Sequence, residues 1–306
     1  MSTNGRKTYS RLRCAIVYLS LPALLVYLYQ QGFLILPRVY SPGVLFVSLL
    51  LLLAGFLLMA EVWRQSLRLH QQSCSIALAL RSIGITVFAK YIPGKIWGPV
   101  GQAAQVLETT GAGLPRVLAA SLDYQLLTLW SGLTVGGLLL FGLDWPVMSS
   151  LVYLLAVLAG FVVLLLPGRW RLLNKLLPEG MRALSVSDNP VTTLRITPYA
   201  LLVWLLWSVS FYCLCLGLTA GAIPPQAGLA FALAGALAIL SPITPAGLGV
   251  REGLMVVLLT ALGIDATTAT TLSLASRLWF MSGEACLFLQ ALVLGRFISR
   301  DMMTDE

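Results

Sequence analysis

Charge is what this sequence has least of. Lys, Arg, Asp and Glu together make up 10% of its 306 residues, against about a quarter in a soluble domain. That is too little to cover a soluble surface of this size, so a water-soluble globular fold is excluded. Histidine is nearly absent: His70 stands alone, in a polar stretch that reads as solvated surface. Five cysteines (Cys14, Cys74, Cys213, Cys215 and Cys286) sit among apolar neighbours. Cys213 and Cys215 are two apart, which is not metal-ligand spacing, so the cysteines read as small packing residues. No zinc or haem site is expected. No Gly-rich phosphate loop of the Walker type is present, so the chain shows no ATPase of its own, although a partner ATPase stays open. No cofactor is expected.

What is present is apolar length. Hydrophobic residues make up 58% and the mean hydropathy is +0.88. About 20 apolar residues cross the roughly 30 Å of hydrocarbon, and Val147 to Leu166 is such a run without one charge. The expected fold class is therefore all-α, a polytopic membrane protein. Plain spans are expected at about 14–36, 43–63, 114–142, 147–166, 197–221 and 267–295. The first follows Arg6, Lys7, Arg11 and Arg13 and imitates a signal peptide. It runs on to Leu36 without an A-x-A cleavage site and reads as an uncleaved span.

Basic residues set the topology. They crowd the N-terminus, the loop after the second span (Arg64, Arg68), the 167–196 loop (Arg169, Arg171, Lys175, Arg182, Arg195) and the C-terminal tail (Arg296, Arg300). The intervening loops have almost none. Both termini are thus expected in the cytoplasm. The net charge of +8 reads as positive-inside bias rather than as nucleic-acid binding.

Two stretches do not fit the pattern of plain spans. The 72–112 stretch must begin and end inside, and the 226–263 stretch must begin and end outside. Each has a Pro/Gly break in mid-course: Tyr91-Ile92-Pro93-Gly94-Lys95-Ile96-Trp97-Gly98-Pro99 and Ser241-Pro242-Ile243-Thr244-Pro245-Ala246-Gly247-Leu248-Gly249. Proline removes a backbone donor and glycine admits turns, so neither stretch should continue as one helix. They read as re-entrant hairpins; two pairs of short ordinary spans are the alternative. A single transmembrane domain over 1–306 follows. Its first half is 14–142 with hairpin 72–112. Residues 143–196 hold a span and the basic loop, and the second half is 197–295 with hairpin 226–263. Inverted repeats with broken helices at matching positions point to a transport site near the midplane.

A charge at a helix centre costs about 2.5–3.5 kcal/mol to insert, so each deep charge asks for a partner or a role. Arg251 and Glu252 open the second arm of the second hairpin, where helix N-terminal amides and Arg251 would make an anion site; mutual neutralisation is the alternative. Arg277 and Glu284 lie seven apart in the last span, about 10 Å along the axis, so each needs another partner, Glu252 being the one expected for Arg277. Lys90 and Lys95, with Tyr91 and Trp97, suit a phosphate head group at an interface, or ordinary snorkelling. Asp123 interrupts the third span and would pair Lys90 or Lys95, or relay protons. Gly94/Gly98, Gly132/Gly136 and Gly249/Gly253 match G-x-x-x-G, which usually means close helix packing.

Three motifs in order carry a resemblance: Lys90-Tyr91-Ile92-Pro93-Gly94-Lys95-Ile96-Trp97-Gly98, Thr244-Pro245-Ala246-Gly247-Leu248-Gly249-Val250-Arg251-Glu252-Gly253, and Ser276-Arg277-Leu278-Trp279 with Glu284. With them the chain resembles the lysylphosphatidylglycerol synthase transmembrane-region family, which includes the flippase domain of the multiple peptide resistance factor. The resemblance implies movement of a lipid or lipid-linked head group between leaflets of a bacterial plasma membrane, with a membrane lipid or lipid-linked glycan as partner. It implies functional positions at Tyr91, Pro93, Gly94, Lys95, Trp97, Pro245, Gly247, Gly249, Arg251, Glu252, Arg277 and Glu284. One departure stands out: the family tends to carry an acid four residues after the serine of the third span, and here Gln125 follows Ser121, with Asp123 nearby. An aminoacyl-transferase domain after the last apolar run is not expected. The expected function is therefore a flippase-like transporter of an anionic lipid rather than an enzyme. A membrane glycosyl or acyl transferase using a lipid carrier is one alternative, and a non-catalytic partner of an envelope glycosyltransferase is another.

Overall fold

The computed structural model describes residues 38–91, 97–111, 113–143, 147–166, 190–240, 247 and 249–304. Among them every regular element is helical, as it must be where no water can satisfy the backbone. The helices are α1 (Pro42–Leu69), α2 (Ile76–Thr86), α3 (Trp97–Thr110), α4 (Leu114–Gly137), α5 (Val147–Leu165), α6 (Pro190–Leu218), α7 (Ala227–Leu240), α8 (Val250–Ala261) and α9 (Ala266–Thr304). A 3-10 turn, Val87–Tyr91, extends α2, and another, Leu138–Phe141, extends α4.

Five stretches are long and apolar enough to cross a membrane: Pro42–Leu69, Leu114–Phe141, Met148–Leu165, Thr193–Leu218 and Ala266–Gly295. They match five of the six expected spans, and the chain is a multi-pass membrane protein. The expected span 14–36 lies outside the described residues, as does most of the basic loop. The other four helices fall in the two broken stretches. They hold 11, 14, 14 and 12 residues, or roughly 17–21 Å each. None alone reaches across the roughly 30 Å of hydrocarbon.

The packing repeats when the two halves are exchanged. α1 lies along α6, its counterpart. α2 packs on α9, and α7 packs on α4, which is the same relation with the halves swapped. Within each half the arms of the broken stretch touch one another, and the second arm touches the following long helix. Small residues permit these approaches. A Cβ on Gly136 of α4 would lie 2.3 Å from the Leu233 backbone nitrogen of α7, and one on Gly84 of α2 would lie 2.7 Å from the Leu287 carbonyl of α9. The Gly132/Gly136 pair is thus a packing motif. Among the described residues Gly249 and Gly253 have nothing within 4 Å of a built Cβ, and neither does Gly98, so the packing expectation finds no support at those three positions.

Polar ties lock the α1–α6 seam. Ser48 donates to the Ser210 carbonyl (2.6 Å), Ser210 donates back to the Ser48 carbonyl, and Trp207 Nε1 donates to the Leu52 carbonyl (3.3 Å). α5 sits outside this core, against α4 and α6. It is tied by Trp130 Nε1 to the Val157 carbonyl and by the Tyr153 hydroxyl to the Leu133 carbonyl. Its outer face exposes Met148, Val152 and Leu155, an apolar surface suited to lipid.

One expectation fails here. His70 is not solvated surface: it is buried, and its Nε2 lies 2.7 Å from Asp123 Oδ2. α1 continues through the polar stretch to Leu69, which carries His70 in beneath α4. A buried carboxylate is costly without a donor, and the imidazole is placed to meet it. His70 is thus a partner of Asp123 that the sequence did not suggest; of the two lysines expected, Lys90 pairs with Glu284 instead and Lys95 lies outside the described residues.

Candidate functional site

The two broken stretches converge on the middle of α9. The 3-10 turn that ends α2 presents Lys90 and Tyr91 together. Glu284, fully buried on α9, takes both: Lys90 Nζ pairs with its Oε1, and the Tyr91 hydroxyl donates to its Oε2 at 2.9 Å. Two turns back along α9, Arg277 Nη1 donates to Glu252 Oε1 at 3.2 Å. This is the partner expected for Arg277. The Arg277 guanidinium also lies 5.2 Å from the centre of the Tyr91 ring, which links the two ion pairs through a cation–π contact.

Glu252 has a second task. Its Oε2 accepts from the Gly249 backbone N–H at 2.7 Å, closing the start of α8, and its carbonyl accepts from Ser273 of α9 at 3.0 Å. Gly249 (φ +80°) and Gly247 (φ +69°) both occupy the left-handed region, which a side chain would make strained. At these two positions the backbone before α8 is one that only glycine adopts readily. At Gly247 a Cβ would also meet the Ala238 side chain at 2.6 Å. Pro93, Gly94, Lys95 and Pro245 lie outside the described residues.

Arg251 is arranged differently from the other cations. It is buried, with 9% of its surface exposed. Its guanidinium stacks at 4.5 Å from the Phe231 ring centre and at 5.3 Å from that of Phe280. Among the described residues its Nε and Nη2 have no hydrogen-bond partner. Arginine buried without an acceptor is expensive, and here the head is held by rings rather than by a carboxylate. The cluster of Lys90, Arg251, Arg277, Glu252 and Glu284 carries three positive and two negative charges, and Arg251 is the cation without an ion pair.

A cavity of about 310 Å³ opens beside this cluster. Lys90, Arg251 and Glu284 are its charged lining among the described residues. One wall is aromatic: Trp204 and Trp207 of α6, Phe231 of α7 and Phe280 of α9. Gln102 of α3 and Gln125 and Thr128 of α4 also line the cavity, and Trp204 Nε1 donates to the Thr128 carbonyl at 2.7 Å. Both broken stretches therefore contribute, through Lys90 and Gln102 on one side and Gly247 and Arg251 on the other.

The expected residues divide cleanly. Lys90, Tyr91, Arg251, Glu252, Arg277 and Glu284 come together. Trp97 does not line the cavity; it is 49% exposed, as an interfacial aromatic would be. Asp123 belongs to the separate His70 pair. The aromatic wall and the two glutamines escaped the sequence reading. Rings in apolar runs look like ordinary core, and Gln125 stood out only as a departure from an acid.

A family model described as "Lysylphosphatidylglycerol synthase TM region" matches residues 12–280, taking in both broken stretches and Arg277. No curated protein and no solved structure matches the chain. With the match covering most of its length, the chain belongs to the lysylphosphatidylglycerol synthase transmembrane-region family.

Proposed function

We propose that this protein moves an anionic lipid, or a lipid-linked head group, between the leaflets of a bacterial plasma membrane, with both termini cytoplasmic. The observation that carries the reading is Arg251: a buried guanidinium with two nitrogens unpartnered among the described residues, in the lining of a 310 Å³ cavity. A phosphate supplies the missing acceptor. Guanidinium binds phosphate bidentately and holds its charge in a dry site, while the rings of Phe231 and Phe280 keep the head in place.

The short arms support re-entrant hairpins, since none is long enough to span, and the charge map has the hairpins entering from opposite faces. The cavity between them then lies near the midplane, where inverted-repeat transporters bind. Rocking one half against the other would open it to each leaflet in turn. The ion pairs from Lys90 to Glu284 and from Arg277 to Glu252 tie α9 to one hairpin each, so these pairs are the contacts that alternate access must preserve or exchange.

The test is translocation of a fluorescent phosphatidylglycerol in proteoliposomes, read by dithionite quenching. Arg251→Ala should abolish protein-dependent translocation, and Arg251→Lys should restore only part of it, because lysine keeps the charge but not the fork. Wild-type rates in a folded Arg251→Ala protein would refute the reading.

A further inference from the structure

We infer that the head group taken by this cavity carries a phosphate and uncharged hydroxyls but no ammonium group, so that a phosphatidylglycerol- or sugar-phosphate-type lipid fits and an aminoacylated one does not. The inference rests on the head-group reading above.

It comes from the carboxylates. Glu284 gives Oε1 to Lys90 and Oε2 to Tyr91. Glu252 gives Oε1 to Arg277 and Oε2 to the Gly249 N–H. All four carboxylate oxygens are thus engaged by the protein, and each carboxylate already has its cation. Glu284 is the one acid among the cavity's described lining residues. An ammonium entering here would meet a cluster with one positive charge in excess and, among the described residues, no unpaired carboxylate. A buried cation without a partner is strongly disfavoured.

The polar lining that α3 and α4 contribute is neutral. Gln102 Oε1 is buried and has no hydrogen-bond partner among the described residues. Gln125 Nε2 turns back to the Ser121 carbonyl at 3.3 Å, and the Thr128 hydroxyl donates to the Tyr124 carbonyl at 2.7 Å, leaving its oxygen to accept. Amide and hydroxyl oxygens accept from a polyol. Asp123, two residues before Gln125, lends no carboxylate to this lining. Two residues along a helix turn it by about 200°, and its carboxylate is with His70 on the far face. Gln125 is therefore a specificity-determining position.

The test is binding to the purified full chain, read by intrinsic tryptophan fluorescence, since Trp204 and Trp207 line the cavity. The probes are dihexanoyl phosphatidylglycerol and its lysyl ester. Wild type should bind the first at least about tenfold more tightly than the second. Gln125→Glu, which adds a carboxylate to the neutral wall, should reduce that ratio about tenfold, and Gln102→Glu repeats the test from a different helix should the first variant fail to fold. Equal wild-type affinity for both probes overturns the inference while leaving the head-group reading intact. An unchanged ratio in a folded glutamate variant also overturns it. Failure of wild type to bind either probe overturns both.

Discussion

Consider Glu284→Gln. The substitution keeps shape and leaves the Tyr91 hydroxyl an acceptor, but it strands the Lys90 ammonium. Breaking a buried ion pair by removing one partner costs about 3–5 kcal/mol, because the remaining charge stays buried. Glu284 is fully buried, but the Lys90 side chain keeps 40% of its surface exposed, so part of its charge can be solvated. The expected loss is therefore about 2–3 kcal/mol. Lys90→Met alone strands the Glu284 carboxylate, which has no such exposure, and should cost more. The double variant Lys90→Met/Glu284→Gln removes both charges and should be more stable than the sum of the single losses allows, with a coupling of about 2 kcal/mol. Reversible unfolding in mixed micelles against SDS measures all three. Additive losses, or a loss below about 0.5 kcal/mol for Glu284→Gln, would refute the claim that this pair fastens the first broken stretch to α9.

Two further predictions concern the frame. Gly136→Ala should destabilise by about 1–3 kcal/mol in the same assay, because its Cβ would meet the backbone of Leu233 rather than a yielding side chain; Gly43→Ala, with open space around it, should be neutral. His70→Ala should cost about 1–3 kcal/mol by removing the ring hydrogen-bonded to buried Asp123, without changing the lipid selectivity of the cavity. A shift in selectivity would mean that the His70 pair and the cavity are coupled.

Much of the fold was legible because the bilayer leaves few options. Apolar length placed five spans to within a few residues, and the Pro/Gly clusters located both breaks. Spacing also excluded an Arg277–Glu284 pair, since two charges seven residues apart on one helix cannot meet, and the expected alternative, Glu252, is the partner found. Other partners were not legible. Whether Asp123 faces the cavity or the end of α1 depends on how α4 is rotated against its neighbours, and its sequence says nothing of that rotation. His70 looked solvated because its neighbours along the chain are polar; its neighbours in space are not. The aromatic wall is built from three helices distant in sequence, and each ring alone is indistinguishable from core. That Arg251 has no carboxylate partner among the described residues became visible only when the cluster's other two cations, Lys90 and Arg277, were seen to be paired.

The central claim is that the cavity beside Arg251 is an anionic head-group site, and native mass spectrometry of the protein released from its membrane tests it most directly. Wild type should retain a bound lipid whose mass fits a phosphate-bearing, amine-free head group, and Arg251→Ala, equally folded, should release it. An identical lipid complement in the two proteins would contradict the account.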